Sequence, residues 1–253
     1  MLRFALAMEQ NLIKENILGV QERVAAAARR AGRDPSEITL IAISKTQPAE
    51  AIRAAYDVGL RHFGENRVQE WEGKRAPIAR LPGATWHLVG HLQANKAVRA
   101  SRLFHSVDSV DNYSLVQRLD RARAEEATVS PAGGTTSGKL RVLLEVHIAG
   151  EEAKSGASIE DLPGLAEKVP AFGNLDFAGL MCVPPLSEEL ELVRPYFQRL
   201  RQLRDDLRSR LGLALPVLSM GMSHDFEVAI EEGATEIRVG TALFGKRPAP
   251  TQR

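Results

Sequence analysis

The chain has one cysteine, Cys182, so no intrachain disulfide can form, as in a protein of a reducing compartment. It has no excess of charge of either sign. The formal net charge of +1 gives no case for nucleic acid or an anionic membrane as partner. No uninterrupted apolar run reaches the roughly 20 residues that span a bilayer. The opening MLRFALAMEQNLIK is apolar only briefly: Glu9 and Lys14 interrupt it, and no small-residue cleavage site follows. No signal peptide is expected, and the cytoplasm is the expected location. What is present is ordinary for a soluble globular protein, 253 residues with 44% hydrophobic and 26% charged.

After a helical stretch from Asn11 to Ala31 closed by Gly32, short apolar runs alternate with longer helix-like segments. The strand candidates are ITLIAIS, RHFGEN, TWHLVG, LFHSVDS, LRVLLEVHI, LDFAGLM, PVLSMG and EIRVG. Strands alternating with helices imply a parallel sheet, because parallel neighbours need a crossover. Eight such units in about 250 residues predict one closed (β/α)8 barrel with an extra N-terminal helix. An open doubly wound sheet usually carries a glycine fingerprint after its first strand, and SKTQPAE has none. The barrel is expected over residues 11–247, with 1–10 and 248–253 as flexible termini. Thr128–Lys139, rich in small residues and glycine, reads as a mobile loop on the N-terminal rim. The arginine-rich segment around Arg199, Arg201, Arg204, Arg208 and Arg210 reads as a solvated outer face.

In a barrel, chemistry gathers in the loops after the strand C-termini. Lys45 follows the first strand at once. It is either a surface charge or an amine held in a pocket. Ser223 in SMGMSHD and Gly240–Thr241 in VGTALFG stand at expected helix starts after strands seven and eight, the habitual phosphate site of barrels. Closure sets the first strand beside the eighth, so Lys45 would share a mouth with those loops. Burial there would favour a neutral amine able to attack a carbonyl. A carbonyl-attacking lysine beside a phosphate cradle describes a pyridoxal 5'-phosphate (PLP) site.

The stretches AISKTQPAEAI, FGENRVQEW, WHLVGHLQANK, SVDSVD, GEEAKSG, GLMCVPP and LSMGMSHDFEVAIEEGATEIRVGTALFG cover the chain from about Val20 to Gly245. In these the sequence resembles the pyridoxal phosphate homeostasis proteins, the YggS/PROSC family. The resemblance implies a barrel of PLP fold type III, like the N-terminal domain of alanine racemases. It implies PLP on Lys45, its phosphate held by Ser223, Gly240 and Thr241, and Arg238 facing the pyridine nitrogen. An arginine there cannot accept a proton, so PLP would be a weak carbanion stabiliser. Spacing alone leaves Arg238 open to pairing with Glu236 or Glu232. Asn66 is a ligand of the cofactor's phenolic oxygen or a cap of the next helix. Met220 and Met222 pack against the cofactor or in the core. His87 and His91 flank Gly90 with no carboxylate cluster beside them, so no metal is expected, and His91 is the candidate for the ring or a proton. Lys154 either adds charge to the rim or is solvated, and Glu151 and Glu152 read as loop charges. Relatives usually carry asparagine at His147 and alanine or threonine at Cys182, and His224 precedes the aspartate of SHD.

Two functions follow. The first is a PLP carrier in vitamin B6 homeostasis, holding the aldehyde as a Schiff base on Lys45 and supplying or buffering it without efficient catalysis. Its partners would be PLP and apo PLP-enzymes, and the chain a monomer. The second is a racemase-like PLP enzyme acting on small amino acids. Against it, a racemase of this type adds a β-rich domain, for which the chain has no room, whose tyrosine serves as second base. The three tyrosines here, Tyr56, Tyr113 and Tyr196, fall in predicted helices. No catalytic residue is assigned.

Overall fold

A computed structural model describes residues 2–129, 138–150 and 155–245. Most of the Thr128–Lys139 loop, the segment with Glu151, Glu152 and Lys154, and the tail from Lys246 lie outside the described residues. The elements run α1 (Leu2–Arg30), β1 (Thr39–Ile43), α2 (Ala49–Asp57), β2 (His62–Glu65), α3 (Val68–Lys74), β3 (Thr85–Leu88), α4 (Ala97–Leu103) and β4 (Ser106–Val110). They continue with α5 (Tyr113–Val129), β5 (Leu140–Val146), α6 (Leu162–Ala166), β6 (Leu175–Cys182), α7 (Arg194–Leu211), β7 (Val217–Ser219), α8 (Phe226–Glu231), β8 (Glu236–Val239) and α9 (Thr241–Phe244).

All strands pair in parallel, in chain order, and close into a barrel through β1 and β8, where Ala42 faces Val239. The eight apolar runs are its eight strands. The first helix starts at Leu2 rather than Asn11. It ends as expected at Gly32, whose φ of +67° lets Arg33 N–H reach back to Ala28 O at 2.9 Å. The main core lies between strands and helices. Ile13, Ile17, Val20, Val24 and Ala27, at helical spacing on α1, are buried in it, and Asn16 Nδ2 donates to Leu243 O at 3.0 Å. Trp71, Trp86, Phe63 and Phe104 form its aromatic part, with the two indoles 4.0 Å apart. Each such side chain adds about 1.5–3 kcal/mol of burial.

The barrel lumen is different. Arg141 on β5 pairs with Glu236 on β8 at 2.5 Å, and those strands are not neighbours, so the pair crosses the lumen. Alternation along β5 then turns Leu143 and Glu145 inward as well. Leu143, Ala178 and Met181 form a small apolar cluster apart from the main core. Inside, polar side chains lie at both ends of the lumen. Among the described residues no helix is long and apolar enough to cross a membrane.

Candidate functional site at the C-terminal end of the barrel

Lys45 sits half-buried in a tight turn after β1. Gln47 N–H closes the turn onto Ser44 O at 3.0 Å, and Thr46 takes φ +65°, a strained value for a β-branched residue. The surroundings hold this shape. Ser44 N–H donates to Gly64 O at 2.9 Å, extending the β1–β2 ladder by one residue. Ser44 Oγ donates to Glu65 Oε1 at 2.5 Å, Lys74 Nζ donates to Ser44 O at 2.6 Å, and Thr46 N–H donates to Glu70 Oε1. Glu65 and Lys74 pair at 2.8 Å. Burial pushes the Glu65 carboxyl above its usual range, and Lys74 pulls it back in part. Sequence reading missed this brace of Ser44, Glu65, Glu70 and Lys74. The acidic Glu65 at the end of an apolar strand was the available signal.

Arg238 on β8 is 5% exposed. Its guanidinium donates to Ser219 Oγ at 2.9 Å and to Cys182 O at 2.8 Å. It pairs with neither candidate carboxylate: Glu236 goes to Arg141, and Glu232 pairs with Arg194 at 2.8 Å and Arg201 at 3.4 Å. Ser219, the first serine of SMGMSHD, thus serves Arg238. Burial holds the Cys182 thiol up at about 12, which keeps it protonated.

Ser223 Oγ accepts N–H bonds from Gly240 at 3.2 Å and Ala242 at 3.5 Å, so the loops after β7 and β8 meet at one oxygen. The helix after β7 starts at Phe226, with Asp225 before it. Asp225 Oδ1 accepts from Met222 N–H at 2.5 Å and ties the loop. Met222 is half-buried beside Ser223, whereas Met220 is fully buried in the core. Gly240 and Thr241 open α9. A Cβ on Gly240 would stand 3.3 Å from Ile43 Cβ, so the β8 loop lies directly against the end of β1.

Asn66 does not cap the next helix: Arg67 holds the N-cap position of α3, with no side-chain cap bond. Asn66 instead lines two cavities at the rim, one of about 440 Å³ with Arg67 and Lys96, and one of about 340 Å³ with Glu145 and His147. Gly90 fixes its place, since a Cβ there would fall 2.4 Å from Asn66 O. His91 is 54% exposed at this rim, with its Nδ1 3.4 Å from Asp111.

His87 is a correction. The sequence placed no carboxylates near it, yet the fold brings Asp108 from β4 and Glu236 from β8. These three buried groups offer ligand atoms within 4.8 Å of one another. His87 Nδ1 lies 3.0 Å from Asp108, its Nε2 lies 3.1 Å from His62 Nδ1, and Arg141 neutralises Glu236. The set is internally paired, with an arginine where a cation would go. It forms the lower floor of the lumen.

A model of the alanine racemase N-terminal domain matches residues 16–248. A pyridoxal phosphate homeostasis protein of Pseudomonas aeruginosa is 47% identical, over 93% of this chain and 96% of its own length. The structure of PipY from Synechococcus elongatus PCC7942 with PLP bound is 38% identical with a TM-score of 0.76, over 89% of this chain and 100% of that one. An alanine racemase from Corynebacterium glutamicum, 15% identical, shares the fold with a TM-score of 0.67 over 96% of this chain and 64% of its own. The chain belongs to the pyridoxal phosphate homeostasis proteins, on the barrel of the alanine racemase N-terminal domain.

Proposed function

We propose that the chain binds PLP at the end of β1, β7 and β8, covalently through Lys45, and buffers or supplies it in vitamin B6 homeostasis. One observation carries this reading: pairing of β1 with β8 sets Ile43, two residues before Lys45, against Gly240, whose loop offers N–H groups converging on Ser223. Convergent N–H groups suit an oxyanion such as a phosphate. The names of the relatives and the PLP bound to PipY agree with it.

The donor set fits the cofactor. Ser223, Gly240 and Thr241 would hold the phosphate, Asn66 the phenolic oxygen, and Met222 would pack beside it. When bound, PLP supplies an aldehyde that condenses with primary amines. Lys45 follows β1 by two residues at the mouth of the barrel and is half-buried there, which sets its amine beside the proposed cofactor loops. Arg238, oriented by Ser219 and Cys182 O, would face the pyridine nitrogen as a permanent cation and keep it unprotonated.

The same site argues for holding rather than turnover. Tyr56, Tyr113 and Tyr196 lie on the outer helices α2, α5 and α7; Tyr56 is tied to Pro82 O at 2.8 Å, and Tyr113 packs on Phe172. None lines the rim cavities described above. The reading adds a monomer in the cytoplasm that passes PLP to apo-enzymes. The test is absorbance of the protein mixed with PLP, then borohydride reduction and peptide mapping. An imine band trapped on Lys45 and lost in Lys45→Ala is expected. Label scattered over surface lysines would overturn the assignment.

A further inference from the structure

The 340 Å³ cavity beside Asn66 has features that cofactor binding does not explain. Glu145, on β5 and 5% exposed, lines it. Its Oε1 accepts from Ser155 Oγ at 3.0 Å, but its Oε2 is buried with no hydrogen-bond partner among the described residues. His147, two residues on, lines the same cavity, and its Nε2 is also buried without a partner among the described residues. Two residues that line one cavity thus each carry an unused polar atom, and buried orphaned polar atoms are normally rare and costly. Val89 and Val183 supply an apolar wall.

We propose that this cavity is a subsite for a small primary ammonium ion, with the Glu145 carboxylate as its counter-charge and His147 as its second acceptor. The deduction rests on the PLP reading for its purpose, since a primary amine is the partner with which a bound aldehyde exchanges. The chemistry of the lining selects the ligand class. An ammonium brings three donors and no acceptor, which matches a carboxylate oxygen and an imidazole nitrogen in its acceptor form. A carboxylate ligand would meet Glu145 as a like charge. A short alkyl chain would lie on Val89 and Val183.

The charges facing Glu145 fit this use. Burial raises its carboxyl above the usual range, Asp111 adds to that, and the Ser155 hydroxyl, Arg238 and His91 act against it. A cation arriving beside Glu145 would act with Arg238 and His91 against that burial and draw the carboxyl toward its ionised form. Asn66 joins this subsite to the cofactor site.

The experiment uses the full-length protein and ethylammonium chloride as probe, with binding read by saturation-transfer NMR or calorimetry. Weak, millimolar binding is expected for so small a ligand. Glu145→Gln, which keeps an acceptor for Ser155, should weaken it about tenfold or more, the size of one charge-assisted hydrogen bond. Sodium propionate should not compete. Lys45→Ala should still bind the probe, because the subsite is not the cofactor linkage. Unchanged affinity in Glu145→Gln, or loss of binding in Lys45→Ala, would overturn the proposal. The PLP reading fails separately, by absence of the imine band in the wild-type protein.

Discussion

The turn that carries Lys45 is held by an ion pair whose worth can be measured. Glu65 is fully buried, and Lys74, 2.8 Å away, is 13% exposed, so solvent screens the pair little. Removing one partner of a buried pair typically costs about 3–5 kcal/mol. Here the cost should be smaller, because Lys74 keeps Glu70 at 3.1 Å and Ser44 O at 2.6 Å. Glu65→Gln should therefore cost about 2–3 kcal/mol, since the amide still accepts from Ser44 but cannot balance the ammonium. Lys74→Met should cost slightly less, since burial already favours the protonated form of Glu65. The double variant should recover about 1–2 kcal/mol relative to the sum of the singles. Urea denaturation followed by fluorescence of the buried Trp71 and Trp86 gives all four stabilities. Costs that add within about 0.5 kcal/mol would show that the pair does not act as a unit. Glu65 also carries a pH signature. Its folded carboxyl keeps a proton at higher pH than its unfolded one, so its contribution falls as pH rises from the unfolded value toward the folded value, and Glu65→Gln should remove that slope.

Two further outcomes follow from the lumen and the rim. Burial, with His87 and Arg141 nearby, lowers His62 from 6.5 to about 4, so the native state resists a proton that the unfolded chain takes up. Stability should therefore fall as pH drops from about 6.5 to about 4, and His62→Gln should remove about 1–3 kcal/mol of that fall in denaturation series across the window. Gly90→Ala would bring a Cβ to 2.4 Å from Asn66 O and 2.8 Å from Asn66 Cα, both backbone atoms. It should cost about 1–3 kcal/mol in urea denaturation and weaken PLP binding by displacing Asn66; an unchanged midpoint would show that the β3 loop yields freely.

The barrel was legible because a parallel strand buried on both faces reads as a short apolar run, and eight such runs stood out. The strand ends were legible too, since Lys45, Asn66, Ser223 and Gly240 each follow a run or a turn signal. What pairs with what was not. The Arg141–Glu236 bridge joins residues 95 apart in sequence, and Ser219 and Arg238 are 19 apart. Local spacing suggested Arg238 with Glu236 or Glu232. In a strand, residues two apart share a face but stand at different depths, so Glu236 meets Arg141 lower in the lumen. Glu232 ends α8 and faces Arg194 and Arg201 on α7 instead. The start of α1 was also missed, because Leu2–Gln10 has too few polar positions to show a helical period.

This sorting of charge explains how Arg238 stays available. With Glu236 committed to Arg141 and Asp108 to His87, the carboxylates of the lower floor are occupied. The hydrogen bonds of the Arg238 guanidinium among the described residues go to a hydroxyl and a carbonyl, which orient it without cancelling its charge. A buried cation held by neutral dipoles is costly unless a ligand uses it. Under the proposed reading, the pyridine nitrogen is what uses it. The cost of keeping Arg238 unpaired is then part of the site, and the paired floor beneath it is what allows the site to exist.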